Sequence, residues 1–110
     1  MKQYLSPEQT AKLIELGFEK PSSIASVEPI YGMGGISVAK AYSIGELIEM
    51  LPQEINDDAL PDRLEAYIDH NKMWTVEYNN ILGALFSTYR TELIDALYDM
   101  IIQLKEEEVI

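Results

Sequence analysis

The chain has 110 residues, 47% of them apolar, which is enough to bury one hydrophobic core, and we therefore predict a single domain over residues 1–110. Eight Lys and Arg oppose nineteen Asp and Glu, and the net charge of -11 disfavours direct binding to nucleic acid or to an anionic membrane surface. The lack of cysteine excludes disulfides and thiol catalysis, and a single histidine, His70, excludes a multi-histidine metal site.

The chain start, which includes Lys2, Tyr4 and Pro7, lacks the apolar run of a secretory signal. No window of the sequence reaches the roughly 18 apolar residues of a membrane span. We therefore expect a soluble, cytoplasmic protein.

A first helix is predicted at about 7–16. Ser6 suits the N-cap, Pro7 the first helical position, and Gln9 completes a Ser-x-x-Gln capping box. Gly17 is placed to end the helix in a left-handed conformation, which lets Phe18 return to the core.

The segment that follows, 24–42, is ambiguous. β-Branched and aromatic residues surround a glycine cluster that runs from Gly32 to Gly35, and Pro29 interrupts the first half. The pattern leaves open a further strand or two within 26–42 or a loop.

A second capping box marks a helix at about 44–51. The Ser43 side chain can accept from the Glu46 amide while the Glu46 carboxylate returns to the Ser43 amide. Pro52 ends the helix, and a helix this short depends on packing for its stability.

A β-hairpin is predicted at about 64–78 because apolar and polar residues alternate on both sides of His70. An odd-length loop around 70–72, with Asn71 in the left-handed conformation, brings both apolar sets to one face. The predicted cross-strand pairs are Leu64 with Tyr78, Ala66 with Val76, and Ile68 with Trp74. Residues 79–88 are apolar, and their pattern fits no single element.

The last helix is predicted at about 92–106, with Thr91 as its cap, and it should pack on the apolar face of the hairpin. Its opposite side carries Glu92, Asp95, Asp99 and Glu106, which form either a solvated face or a docking surface for a basic partner. Asp95 and Asp99 are a like-charge pair four residues apart with no compensating lysine.

Tyr67 stands apart from the other hairpin aromatics, because the register directs it away from Trp74. If the face that carries Tyr67 stays uncovered, this side chain is an anchor for a partner or for a second copy of the chain. The fold class that follows from all these elements is α+β, a small antiparallel sheet packed against the predicted helices.

No catalytic, cofactor-binding or metal-ligating set emerges from the sequence. The Gly32 to Gly35 cluster lacks the following helix of a phosphate loop, and Asp69 and His70 would point to opposite faces of a strand. Asp57, Asp58 and Asp62 lack the glycine and the bidentate glutamate of a calcium loop.

Part of the chain resembles small acidic proteins of unknown function that are encoded in bacterial prophages and other mobile elements. The segments that carry the resemblance are 42–52 (YSIGELIEMLP), 74–78 (WTVEY) and 92–102 (ELIDALYDMII). The resemblance implies a bacterial or phage setting, and it implies neither an activity nor functional residues.

The leading hypothesis is a non-catalytic protein–protein interaction or regulatory protein that binds a basic partner and needs no cofactor. Two alternatives stay open: an acidic mimic of nucleic acid that inhibits a DNA-binding protein, and a small ligand-binding domain or enzyme with its site at the Gly32 to Gly35 loop. A homodimer is also left open, since it would cover apolar surface such as Tyr67.

Overall fold

The computed structural model describes residues 1–30, 35–55 and 61–110, the side chains of 26–30 and 35–38 excepted. In this part of the chain the helices are α1 (Pro7–Glu15), α2 (Ile44–Met50) and α3 (Leu93–Glu106). The strands are β1 (Ile24–Ile30), β2 (Gly35–Lys40), β3 (Glu54–Ile55), β4 (Asp62–Ile68), β5 (Trp74–Asn80) and β6 (Gly83–Arg90). None of the described helices has the length and apolar composition of a bilayer span.

The strands divide between an antiparallel hairpin, β1–β2, and an antiparallel sheet in the order β3-β4-β5-β6. This arrangement confirms the predicted α+β class, and the segment 26–42, which the sequence pattern left open, contains most of β1 and all of β2. The hairpin is separate from the larger sheet, and its described side chains, including Ile24 and Lys40, are exposed.

Both predicted capping boxes are present. The Gln9 amide donates to Ser6 Oγ at 3.2 Å, the Glu46 amide donates to Ser43 Oγ at 3.2 Å, and each glutamine or glutamate side chain accepts from its cap amide in return. The first helix ends as predicted: Gly17 has φ 98°, and the Phe18 amide donates back to the carbonyl of Leu13 at 3.2 Å.

The predicted hairpin register is confirmed at every predicted pair, Leu64 with Tyr78, Ala66 with Val76 and Ile68 with Trp74. The expectation for the turn is wrong in one respect, because Lys72 rather than Asn71 takes the left-handed conformation, with φ 61°. The carboxylate of Asp69 orders this turn, since its Oδ1 accepts from the amides of Asn71 at 2.8 Å and Met73 at 3.1 Å.

Strand β6 lies mostly in the segment that the sequence pattern left unassigned. Because of this additional strand, α3 packs on a different part of the sheet from the one predicted. Because β6 adds a strand beyond β5, α3 packs over β5 and β6 rather than over β4. Val76 and Tyr78 are fully buried as predicted, but Ala66 and Ile68 of β4 stay exposed, which corrects the expected contact of α3 with those two residues.

The core lies between the sheet and the helices. The residues that α3 contributes to this core are buried, and they pack with Leu13 of α1, Leu47 of α2 and Tyr78 of β5. A polar contact ties β6 to α3 as well, since the Thr88 hydroxyl donates to the carbonyl of Ala96 at 2.8 Å. The buried α3 residues are Ile94, Ala96, Leu97, Met100, Ile101 and Leu104.

Candidate interaction surface

Among the described residues, a cluster of tyrosine, carboxylate and other polar side chains lies on the face of the four-stranded sheet opposite the core. Val76 and Tyr78 of β5 point into the core, so strand alternation places Thr75 and Glu77 on the opposite face. The register then brings residues of β4 and β6 beside them. We call this surface the outer face and define it by Glu65, Tyr67, Thr75, Glu77, Asn79, Ser87 and Tyr89.

Two tyrosines flank a buried threonine on the outer face. Thr75 pairs with Tyr67 on one side and with Tyr89 on the other, so the three lie in a row across β4, β5 and β6. The tyrosines are 42% and 58% exposed, whereas Thr75 is 1% exposed, and we attribute its burial to their rings. Its hydroxyl oxygen has no hydrogen-bond partner among the described residues.

Glu77 is the centre of a hydrogen-bond network next to this row. Its Oε1 accepts from the Tyr67 hydroxyl at 3.1 Å and from Asn79 Nδ2 at 2.8 Å, and its Oε2 accepts from the Ser87 hydroxyl at 2.9 Å. The hydrogen bond to this carboxylate raises the pKa of the Tyr67 hydroxyl above its ordinary value. The network fixes the carboxylate in one orientation.

A second carboxylate faces Glu77 across the strands. Glu65 pairs directly with Glu77, and Asn79 Nδ2 also donates to Glu65 Oε2 at 3.0 Å. Like charges placed opposite each other destabilise a sheet. The ion pairs within the described ranges involve Asp95, Glu54 and Asp99, and neither outer-face glutamate takes part in one. Arg63, which pairs with Asn79, lies on this same face, but its ion-pair partner is Glu54. Among the described residues, Glu65 and Glu77 therefore have no ion-pair partner of their own.

Most of the acidic side chains that were predicted to form a surface on α3 bind other residues of the same chain. Glu92 is the N-cap of α3 in place of the predicted Thr91, and its Oε2 accepts from the Lys2 backbone amide at 2.9 Å rather than capping the helix. Asp95 Oδ1 lies 2.8 Å from Lys2 Nζ and accepts from Gln9 Nε2 at 3.0 Å. Burial alone would raise the pKa of Asp95, but these two donors and the lysine charge together hold that pKa below its usual value.

The other two acids of that surface differ from each other. Asp99 Oδ2 lies 2.9 Å from Arg90 Nε, and burial raises the pKa of Asp99 despite the arginine. Lys2 and Arg90 thus compensate the Asp95 and Asp99 charges, so the expectation of an uncompensated pair is wrong. Glu106 is exposed at the end of α3. A docking role for these four acids stays a prediction.

Tyr67 is the one predicted site residue that lies on the outer face, and the condition attached to it is met, because none of the described helices packs there. Sequence reasoning missed Glu77, Ser87 and Tyr89. From the sequence, Glu77 could be identified only as a polar residue in a strand of alternating pattern. Ser87 and Tyr89 belong to β6, which the sequence pattern did not assign. Recognising β6 would have placed Ser87 beside Glu77 and Tyr89 beside Thr75.

Two grooves lie beside α2 among the described residues, and the second places the Ser22 hydroxyl 3.5 Å from an oxygen of the Glu46 carboxylate. One, of about 690 Å³, is lined by Ile48 and Leu64 with the Glu54–Arg63 ion pair at its side. The other, of about 430 Å³, contains Glu46, whose carboxylate is already held by the Ser43 amide at 3.2 Å. The described part of the chain holds no cluster of three or more potential metal ligands.

The remaining predicted site, the Gly32 to Gly35 loop, lies outside the described residues except for Gly35, which begins β2. Comparison of the chain with family models, with curated proteins and with solved structures finds no match in any of the three. The resemblance to prophage-encoded acidic proteins therefore stays a prediction.

Proposed function

We propose that this protein is a non-catalytic interaction protein that binds a basic partner protein through the outer face of its sheet. The observation that carries the proposal is the combination of two exposed tyrosines, Tyr67 and Tyr89, with two carboxylates, Glu65 and Glu77, that form no ion pair among the described residues. Tyrosine is enriched at the centres of protein interfaces, where its ring is buried and its hydroxyl stays hydrogen-bonded.

The charge of the chain supports a basic partner. A net charge of -11 on 110 residues attracts cationic surfaces and speeds their encounter with the protein at low salt. The same charge opposes a homodimer through the outer face, since each copy would bring its own Glu65 and Glu77 to the contact. A bacterial or phage setting for the partner is supported by the sequence resemblance alone.

Affinity capture from a bacterial lysate tests the proposal when matched charge variants are compared. The outer-face variant is Glu65→Gln with Glu77→Gln, which removes two charges and keeps the side-chain shapes. The control is Glu106→Gln with Glu107→Gln, which removes two charges from exposed residues at the end of α3. Circular dichroism confirms that both variants fold.

We expect the unmodified protein and the α3 control to retain the same partner at about 50 mM salt and to release it at about 500 mM, where surface charges are screened. The outer-face variant should fail to retain this partner at either salt concentration. Equal retention by the two variants, or loss from the α3 control alone, contradicts the proposal. The second result would instead favour the docking surface on α3.

A further inference from the structure

We propose that the outer face binds an arginine side chain of the partner, with the guanidinium stacked on Tyr67 and Tyr89, hydrogen-bonded to Glu65 and close to the Glu77 charge. This inference rests on the proposed function and makes it more specific, because it names the group that the partner contributes.

The spacing of the two tyrosines suits a flat cation. They lie on strands separated by one strand, so their Cα atoms are about 10 Å apart, twice the usual spacing between strands. The residue between them, Thr75, is small. A planar guanidinium stacks on tyrosine rings and lies within about 6 Å of their centres, where the ring faces attract a positive charge.

Thr75 supplies a second reason to place a ligand here. Its hydroxyl is buried without a partner among the described residues, and an unpaired buried hydroxyl is unfavourable. A guanidinium N–H can donate to this oxygen once the Tyr67 and Tyr89 rings, which cover Thr75, move apart. The inserted cation would therefore satisfy a polar group that the chain alone leaves unsatisfied.

The carboxylates of Glu65 and Glu77 have different roles in the proposed arginine site. A carboxylate offers about four acceptor sites, and Glu77 already accepts from Tyr67, Asn79 and Ser87. Glu65 accepts from Asn79 within this cluster, so more of its acceptor sites face a ligand. The forked N–H groups of a guanidinium therefore pair with Glu65, while Glu77 contributes a fixed second charge.

These features favour arginine over lysine and a foreign partner over a second copy. An ammonium group is compact and strongly hydrated, so it gains less from stacking on rings and cannot donate through a rigid fork. The chain itself contains two arginines, and both are paired: Arg63 with Glu54 at 3.3 Å and Arg90 with Asp99 at 2.9 Å. A second copy thus has no unpaired arginine to offer.

Two short peptides test the inference directly: acetyl-Arg-Gly-Arg-Gly-Arg-amide and its lysine counterpart, which carry the same charge. Each is titrated into the ¹⁵N-labelled protein at low salt and followed by NMR. We expect the arginine peptide to bind about threefold to tenfold tighter and to shift the amides of 65–67, 75–77 and 87–89.

Variants of Tyr89 separate ring stacking from charge. Tyr89→Leu should remove the preference for arginine and leave binding of the lysine peptide nearly unchanged. Tyr89→Phe keeps the ring and should keep the preference, and the Glu106→Gln, Glu107→Gln control should keep it too. Equal affinity for the two peptides, an unchanged preference in Tyr89→Leu, or shifts confined to other surfaces would overturn the arginine site.

The outcomes also separate this inference from the proposed function. If lysate capture depends on Glu65 and Glu77 but the two peptides bind equally, the protein binds a basic partner and the arginine site is wrong. If capture shows no dependence on the outer face and neither peptide binds there, both are wrong.

Discussion

Replacing Tyr78 with phenylalanine tests how much the hydrogen bond between the core and the segment after α2 contributes to stability. The Tyr78 side chain is fully buried, and its hydroxyl donates to the carbonyl of Pro52 at 2.6 Å. Phenylalanine preserves the ring and removes this hydrogen bond, which should lower the free energy of unfolding at pH 7 by about 1 kcal/mol. For a chain of this length the midpoint of thermal unfolding should fall by about 4 °C.

The same substitution should have a different effect in alkali. Burial raises the pKa of Tyr78, so the folded protein keeps the phenolic proton at a pH where the unfolded chain, with a tyrosine pKa of about 10, has released it. Rising pH then favours the unfolded state, by about 1.4 kcal/mol per pH unit above pH ~10. Tyr78→Phe lacks this contribution, so its stability and that of the parent protein should become equal near pH ~10.6.

Urea unfolding from pH 7 to pH 11, followed by circular dichroism, measures both effects. Tyr89→Phe is the control, because it removes a hydroxyl from a side chain that is 58% exposed rather than buried. A constant difference between Tyr78→Phe and the parent across the whole range would refute the reasoning, since it would mean that the buried phenol ionises as readily in the folded state as in the unfolded one.

Three further substitutions probe the packing of α3. Leu97→Ala, at a residue 1% exposed, should lower the free energy of unfolding in urea by about 2–5 kcal/mol, and a loss under 1 kcal/mol would contradict the core described above. Thr88→Val removes the hydrogen bond to the Ala96 carbonyl and should lower it by about 1 kcal/mol, with an unchanged dependence on urea. Asp95→Asn weakens the contact with Lys2 and should lower it by about 1 kcal/mol at pH 7. Since the folded pKa of Asp95 is depressed, that difference should shrink as pH falls below about 4, and a difference that grows in acid would refute this account.

Local signals predicted the helices and the hairpin because the groups that interact are close in sequence. Ser6 with Gln9 and Ser43 with Glu46 are three residues apart, so the capping boxes could be identified from spacing alone. The register of β4 and β5 followed from alternation, because only one alignment puts Val76 and the other apolar residues on a common face.

Strand β6 escaped prediction because an irregularity interrupts its pattern. Tyr78 pairs with Phe86 and Asn79 pairs with Ala84, which leaves Leu85 without a partner and shifts the alternation by one residue. The missing strand hid two of the seven residues that define the outer face, Ser87 and Tyr89. Recognition of the interaction surface therefore depended on strand pairing rather than on any motif.

The contacts at the start of α3 depend on residues far apart in the chain. Lys2 Nζ and Asp95 Oδ1 are separated by 93 positions, and no local pattern near Asp95 indicates a cation. The same holds for Glu92, which accepts from the Lys2 amide. Such pairs form because the chain start is brought against α3 by the fold, so they follow from tertiary structure.

The position of β6 at the end of the sheet has a consequence for handling the protein. Within the described residues β6 pairs with β5 alone, and its sequence, GALFSTYR, contains neither the lysine nor the proline that commonly keeps exposed strand edges apart. Mutual repulsion of the -11 charge supplies that protection at neutral pH. Near the isoelectric point of about 4.3 the repulsion vanishes, and acidified solutions should turn cloudy through edge-to-edge association while neutral solutions stay clear.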